Sequence, residues 1–306
     1  MNDLLISPRP SISEGAVHEP GEWAGESGTA QFLMPPMTVV QPTSGWASLQ
    51  LRDLWEYREL LYFLVWRDVK IRYKQTALGI AWVVLQPVLT TLIFTVVFGN
   101  LAKIPSDNLP YAVFALAGLV PWNYFSGALS RGGVSLVNSS HLISKVYFPR
   151  LVIPLASVLA GLLDMVIVLA LLFALMLFYG VTPTLSIVLL PFLTLLAITT
   201  ALGVSLWLSA LNVQYRDINY LIPFFVQFWM YATPVVYPAS LIPERWRPFY
   251  ALNPMAGVVE GFRWALFGAG DPPLAAIGMA AVTSLLLVLS GAFFFRRMEK
   301  TFADIV

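Results

Sequence analysis

The chain has 306 residues, of which 58% are hydrophobic and 11% charged, with a formal net charge of +1. A mean hydropathy of +0.73 cannot be reconciled with a soluble surface, so the composition describes a multi-pass membrane protein. The absence of cysteine excludes disulfides and thiolate chemistry, two distant histidines (His18 and His141) argue against a histidine-based metal site, and a near-neutral balance carries no message about nucleic acid.

Residues 1–45 are rich in Pro, Gly, Ser and Glu and lack the apolar core of a signal peptide. That composition predicts a largely disordered cytoplasmic tail. Residues 46–76 read as an amphipathic interface helix. At about 100° per residue, Arg52, Glu56, Glu59, Arg67, Lys70 and Lys74 fall within an arc of roughly 80°, with Leu54, Tyr57, Leu61 and Val65 opposite. Arg58, Asp68 and Arg72 project from the apolar side, and Asp68 and Arg72 are spaced i, i+4 for an ion pair.

The uncharged stretch 79–98 follows, long enough for a hydrocarbon core of ~30 Å. Further apolar stretches at 110–130, 151–179, 185–211, 219–237 and 273–295 bring the total to six spans. Each must be helical, because hydrocarbon offers backbone groups no partner. Pro121, Pro191 and Pro223 lie inside these stretches and predict kinks. The expected fold class is therefore all-α integral membrane, with residues 77–306 as a six-span domain.

An even number of spans puts both termini on one side. Fourteen of the 18 Lys and Arg residues fall on that side, leaving Lys103, Arg245, Arg247 and Arg263 on the other. By the positive-inside rule both termini are cytoplasmic. A seventh span through 249–268 would carry Asn253, Pro254, Glu260 and Arg263 into lipid and turn the C-terminal basic cluster outward, so the count rejects it. The segment between the fifth and sixth spans reads instead as two short helices dipping back into the outer leaflet, turned around Asn253 and Pro254. Glu260 and Arg263 sit one turn apart there, spaced for an ion pair that latches an outer cap or simply stabilises a short helix.

Asp164 is the one acid deep in a span. An intramembrane carboxylate is either functional or bonded to a neighbouring helix for packing, and the sequence leaves both open. No G-x-x-x-x-G-K-[ST] run cradles phosphate, no chain of buried carboxylates couples ions, and no internal repeat is visible. If the protein pumps, the power comes from a partner. The loop 131–150, RGGVSLVNSSHLISKVYFPR, is long enough to hold a short helix lying flat against one, with Arg131, His141, Lys145 and Arg150 as contacts. In the fifth span Tyr220, Phe224, Phe228 and Tyr231 fall within about 80°, with Gln227 beside them as donor and acceptor. Such a row is either a packing face or a set of flat rings on which a pyranose stacks and slides.

Four long segments carry a resemblance: RELLYFLVWRDVKIRYKQTALGIAWVVLQP at 58–87, KVYFPRLVIPL at 145–155, NVQYRDINYLIPFFVQFWMYATPVVYP at 212–238 and YALNPMAGVVEGFRWALFG at 250–268. Together they resemble the polysaccharide export permeases of the type-2 ATP-binding cassette exporters, from about Thr38 to the C-terminus. The resemblance implies a homodimer of six-span permeases in the bacterial inner membrane, with two ATPase subunits that hold the ATP and magnesium. This chain itself then binds no cofactor and performs no bond chemistry. It implies as substrate a lipid-linked polysaccharide, most simply O-antigen-like. The interface helix and first cytoplasmic loop then meet the ATPases, the outer helices cap the pore, and the first and fifth spans line it. Arg67, Arg72, Leu78, Gly79, Tyr215, Arg216, Asp217, Asn253, Pro254, Glu260 and Arg263 occupy matching motif positions. A phosphate-bearing carrier lipid calls for arginine forks, which makes Arg58, Arg67, Arg72, Leu78 and Gly79 the expected headgroup and gate set. Two alternatives stay open at this point: a small-molecule or lipid exporter of the same superfamily, and a membrane-embedded glycan-handling enzyme, for which no cluster of interfacial acids speaks.

Overall fold

The computed structural model describes residues 51–74, 79–146, 148–268 and 270–305, all within the unit Ser44–Val306. The expected disordered tail, the first residues of the interface helix and Leu78 lie outside the described residues.

The interface segment forms α1 (Leu51–Glu56) and α2 (Arg58–Lys74), divided by a turn at Tyr57. Along it Leu54, Tyr57, Leu61, Leu64, Val65, Asp68, Arg72 and Tyr73 turn inward at three- and four-residue spacing. Trp55, Tyr62, Phe63 and Trp66 remain exposed on the outside, as aromatic side chains do at a membrane interface. The inward leucines and valines pack on Phe148, Leu151 and Val152 and on Phe302. A charged helix is thereby fastened to the body by its apolar stripe.

Next come α3 (Gly79–Phe94), which ends in a π-helical turn at Thr95–Leu101, and α4 (Tyr111–Asn138). A short α5 (Ser140–Lys145) precedes α6 (Val152–Ala160) and α7 (Leu162–Tyr179). After a 3-10 turn at Leu185–Leu189 follow α8 (Leu190–Gln214) and α9 (Ile218–Tyr231). Two further 3-10 turns lead into α10 (Arg247–Ala251), α11 (Pro254–Phe267) and α12 (Leu274–Ile305).

Among the described residues five helical stretches are long and apolar enough to cross a bilayer: Ala81–Leu101, Tyr111–Asn138, Val152–Tyr179, Leu185–Gln214 and Leu274–Glu299. The expected fifth span departs from this length, because α9 has 14 residues and so rises ~21 Å. Pro234 cannot continue the helix, and the chain turns at 232–235 instead. Pro191 sits in the first turn of α8 rather than at a kink, where its missing N–H costs nothing. Pro121 and Pro223 do lie inside α4 and α9.

At the centre stands α4: 78% of its spanning window is buried, against 11% for α3 and 17% for α12. Around it pack α6, α7, α8, α9 and α11, while α12 crosses α8. That crossing is close because a Cβ on Gly203 would lie 2.6 Å from the Val288 nitrogen, and one on Gly291 2.5 Å from the Gly203 oxygen. The Thr200 and Ser284 hydroxyls join across it at 2.7 Å. The Leu136, Phe148, Ala210, Phe295 and Phe302 cluster gathers the helix ends that carry the basic residues, so those ends form one face of the bundle.

Candidate functional site

On that basic face, the packing of α2 along α6 places the last turn of α2 beside α7. Ser157 Oγ donates to Asp68 Oδ2 at 3.5 Å, and one turn further Arg72 Nη1 pairs with Asp164 Oδ2 while the Tyr73 hydroxyl donates to Asp164 Oδ1. From α4, Arg131 Nη1 approaches the same Oδ2 at 3.8 Å. The Arg131 guanidinium lies between two glycines: a Cβ on Gly127 would be 2.9 Å from Nη1, and one on Gly161, at the α6–α7 break, 2.6 Å from Nη2. Arg131 Nε is buried with no hydrogen-bond partner among the described residues. Burial, then the bond to Asp164, pushes the Tyr73 phenol up to about 12, so it remains a donor at neutral pH.

Beside Asp164 and Tyr73 opens a cavity of about 610 Å³, lined by Arg67, Asp68 and Arg72 from α2, Arg131, Ser135 and Asn138 from α4, His141 from α5 and Ser157 from α6. Arg67 donates to Asp68 Oδ1 from Nε at 3.0 Å and from Nη2 at 2.8 Å. Three guanidiniums therefore face two carboxylates, Asp68 and Asp164, and the cavity keeps a positive excess beside hydroxyl and amide donors. Its lining carries the kind of donors that pair with an anion of several acceptor oxygens.

Two sets separated in the sequence thus merge: Arg67 and Arg72 share the cavity with Arg131 and His141. The expectation that Arg131 lies on a partner-facing loop is corrected, because α4 continues to Asn138 and turns Arg131 inward. Arg150 is likewise engaged within the chain. Its Nη1 donates to the Glu299 carbonyl at 2.6 Å, its backbone N–H to Glu299 Oε1 at 3.3 Å, and its guanidinium lies 5.9 Å from the Phe302 ring. Arg58 does not join the cavity; it folds back over Trp55, 5.6 Å from the ring, and donates to the Trp55 carbonyl at 3.4 Å. Register alone does not exclude Arg58, which is seven residues before Val65 and fourteen before Arg72; it is the first residue of α2, directly after the turn at Tyr57, and its side chain is exposed there. His141 and Lys145 are exposed on α5, and Gly79 opens α3. Tyr215, Arg216 and Asp217 form the exposed turn between α8 and α9.

The α9 helix buries only Ile222. Tyr220, Phe224, Phe228 and Tyr231 are 57–81% exposed, and Gln227 is exposed beside them. Phe225 and Trp229 turn the other way, 5.0 Å apart, with Trp229 edge-on to Phe125 of α4 at 4.9 Å. One aromatic face holds α9 to the bundle, and the chain leaves the other uncovered.

At the far end of α9 the carbonyls of the non-helical turn are all satisfied. Arg263, 8% exposed, donates from Nη1 to the Pro234 carbonyl at 2.6 Å and the Tyr237 carbonyl at 3.4 Å, from Nη2 to the Val235 carbonyl, and from Nε to the Phe114 carbonyl at 3.3 Å. Tyr237 Oη donates to the Tyr231 carbonyl, Asn253 Nδ2 to that of Ala232, the Val235 N–H to that of Thr233, and Tyr111 Oη to that of Val236. Every carbonyl from 231 to 237 has a donor, which is what non-helical backbone away from water requires. Asn253 caps α11 by accepting from the Met255 N–H at 3.1 Å, accepts from Trp229 Nε1 at 2.8 Å, and has Pro254 behind it in the first helical turn. The expected Glu260–Arg263 ion pair gives way to these carbonyls. Glu260 instead lines a cavity of about 270 Å³ with Asp107, Trp264 and Asp271, where burial holds its carboxyl above the usual range.

Sequence reasoning passed over Tyr73, Gly127, Gly161 and Gly118, the last of which packs against Arg263 with a Cβ position 2.6 Å from Nη2. The sequence singles out Arg72, Arg131 and Asp164 of the inner cluster for separate reasons, Asp164 as an acid in need of a partner that linear spacing could not name. Among the described residues no group of His, Cys, Asp and Glu is placed to hold a metal ion.

Comparison with known proteins agrees with this architecture. The family model of ABC-2 type transporters matches residues 59–267. The chain is 31% identical to an O-antigen export system permease protein of Myxococcus xanthus over 83% of its length and 98% of the relative's. It is 30% identical to the protein of that description from Klebsiella pneumoniae, covering 81% and 95% of the two chains. A polysialic acid transport protein of Escherichia coli matches at 24% identity over 76% of this chain and 91% of its own.

Proposed function

Because this chain belongs to the ABC-2 type transporter membrane family, we propose that it is the permease subunit of an exporter that moves a lipid-linked, O-antigen-like polysaccharide across the bacterial inner membrane. Two copies face each other, each over an ATPase subunit that holds ATP and magnesium, and this chain conducts without doing bond chemistry. The observation that carries the reading is the uncovered aromatic face of α9. An apolar ring binds the face of a pyranose without fixing it in place, and Gln227 exchanges hydrogen bonds with passing hydroxyls. A second copy set against this face encloses a conduit with Tyr220, Phe224, Phe228 and Tyr231 on its walls.

The remaining parts follow in order along the path. Both termini are cytoplasmic, as the distribution of Lys and Arg supports. With α9 and its turn as the fifth crossing, the chain makes six, and α10 and α11 re-enter the outer leaflet as a cap fastened by Asn253, Pro254 and Arg263, with Glu260 beside them. The basic cavity of Arg67, Arg72 and Arg131 receives the phosphate of the carrier lipid, while Gly79 starts the pore-lining α3 nearby. Exposed His141 and Lys145 on α5 meet the ATPase.

Deleting the gene and following the glycan tests the whole reading. Loss of surface polymer with lipid-linked polymer trapped in the cytoplasm is the expected result. Normal surface glycan together with lost resistance to a drug would assign the chain to small-molecule export instead.

A further inference from the structure

Arg72 and Tyr73 do more than line a cavity. They are the last inward-facing residues of α2 before the first span begins at Gly79, and both oxygens of Asp164 hold them. One carboxylate on α7 therefore clamps the end of α2. It does so with the donors that a phosphate entering the cavity requires: Arg72 is already paired with it, and Arg131, set between Gly127 and Gly161, is 3.8 Å from it. Arg131 also retains a buried Nε that nothing in the described chain satisfies. A lipid phosphate or diphosphate and a fixed carboxylate cannot share these guanidiniums without repulsion, because like charges a few ångströms apart in a half-buried site repel strongly. The entering anion carries more charge and more acceptor oxygens.

We propose that Asp164 is a tethered counter-anion: it occupies the phosphate site's donors in the resting permease, and the headgroup of the carrier lipid displaces it from Arg72, releasing α2 and the start of α3 from α7. The proposal rests on the headgroup reading of the cavity and adds to it a positioning residue that couples occupancy to movement. Its physical content is competition. Removing the Asp164 charge while keeping its shape must tighten anion binding, whereas a purely structural ion pair predicts the reverse.

The test uses the permease with its ATPase subunit in phosphatidylcholine nanodiscs, with ATP hydrolysis read against added inorganic pyrophosphate or a polyprenyl diphosphate in the disc. In Asp164→Asn the half-maximal concentration falls about tenfold and basal hydrolysis rises, a coupling of ordinary size. A response to the lipid probe alone assigns the site to the membrane-borne headgroup; a response to both assigns it to the diphosphate itself. An unchanged or raised half-maximal concentration in Asp164→Asn, while Arg67→Ala and Arg131→Ala raise it, overturns the counter-anion and leaves the headgroup reading standing. If no arginine variant shifts the response, the headgroup reading falls and the counter-anion with it. The unmodified protein supplies a second readout that needs no variant to fold. Amide exchange over 68–74 accelerates when the probe is added, and unchanged or slower exchange refutes the release.

Discussion

The molecule turns arginines inward at both ends of α4 and pairs them in opposite ways. Toward the end away from the basic face, Arg263 rests against Gly118, where a Cβ would lie 2.6 Å from Nη2, stacks 3.7 Å from the Phe114 ring, and is satisfied by neutral backbone carbonyls. Toward the basic end, Arg131 rests against Gly127 and Gly161 and faces a carboxylate shared with Arg72, at the edge of an open cavity. Carbonyls of a folded turn cannot leave, so Arg263 is a rivet. A carboxylate on a side chain is an anion that another anion can replace, and on the proposal above Arg72 and Arg131 form such an exchangeable set. Both obey the rule that a buried charge must be paired, and what pairs it decides whether the site is fixed or responsive.

The largest effect should come from the rivet. Arg263→Ala strands carbonyls of the α9 turn and is expected to cost roughly 3 kcal/mol or more, seen as a lowered melting temperature and loss of the protein from the membrane fraction. Arg263→Lys should not restore it, since one ammonium cannot reach four diverging acceptors. Next, Gly118→Ala pushes a methyl into the guanidinium and is expected to cost roughly 2 kcal/mol by the same measurement; an unaffected melting temperature would show the slot to be looser than its geometry.

The exchangeable end predicts a different signature. Arg72→Ala should cut surface glycan about tenfold or more while the membrane level of the protein holds, because it removes a charge-assisted contact rather than a packed core group. Unchanged surface glycan, measured by gel, would discard the headgroup role. Phe224→Ala or Tyr231→Ala should leave stability within about 0.5 kcal/mol, these rings being exposed in the chain, yet slow export a fewfold. Export at the original rate would return the aromatic row to packing against lipid. The smallest effect belongs to Arg58→Ala, whose exposed side chain folds back over Trp55. Export and stability should both stay near the unmodified values, and a loss as large as that of Arg72→Ala would bring Arg58 back into the headgroup set.

Much of this layout was legible in the chain. Length, apolarity and the lopsided Lys and Arg count defined membrane-crossing stretches, because the cost of unpaired backbone in hydrocarbon is a local property of a segment. The row at 220, 224, 228 and 231 was legible for a similar reason, since helical spacing alone puts those side chains on one face. Less was visible where partners come from distant segments. Arg131 and Arg150 look alike beside a loop, yet one faces Asp164 and the other Glu299. Glu260 and Arg263 have the spacing of an ion pair, and the turn at 232–235 outcompetes Glu260 for the guanidinium.

The sequence by itself thus determined that the chain is a multi-pass membrane protein, roughly where its apolar helices lie, and which helix ends are basic. Each of these follows from transfer of a segment between water and hydrocarbon, a quantity summed over neighbours in the chain. Only the tertiary structure decided which arginines share a carboxylate, which are spent on carbonyls, and which face of α9 stays bare. Those outcomes depend on which helices pack closely enough to pair donors and acceptors far apart in sequence, and glycines at the crossings set that closeness.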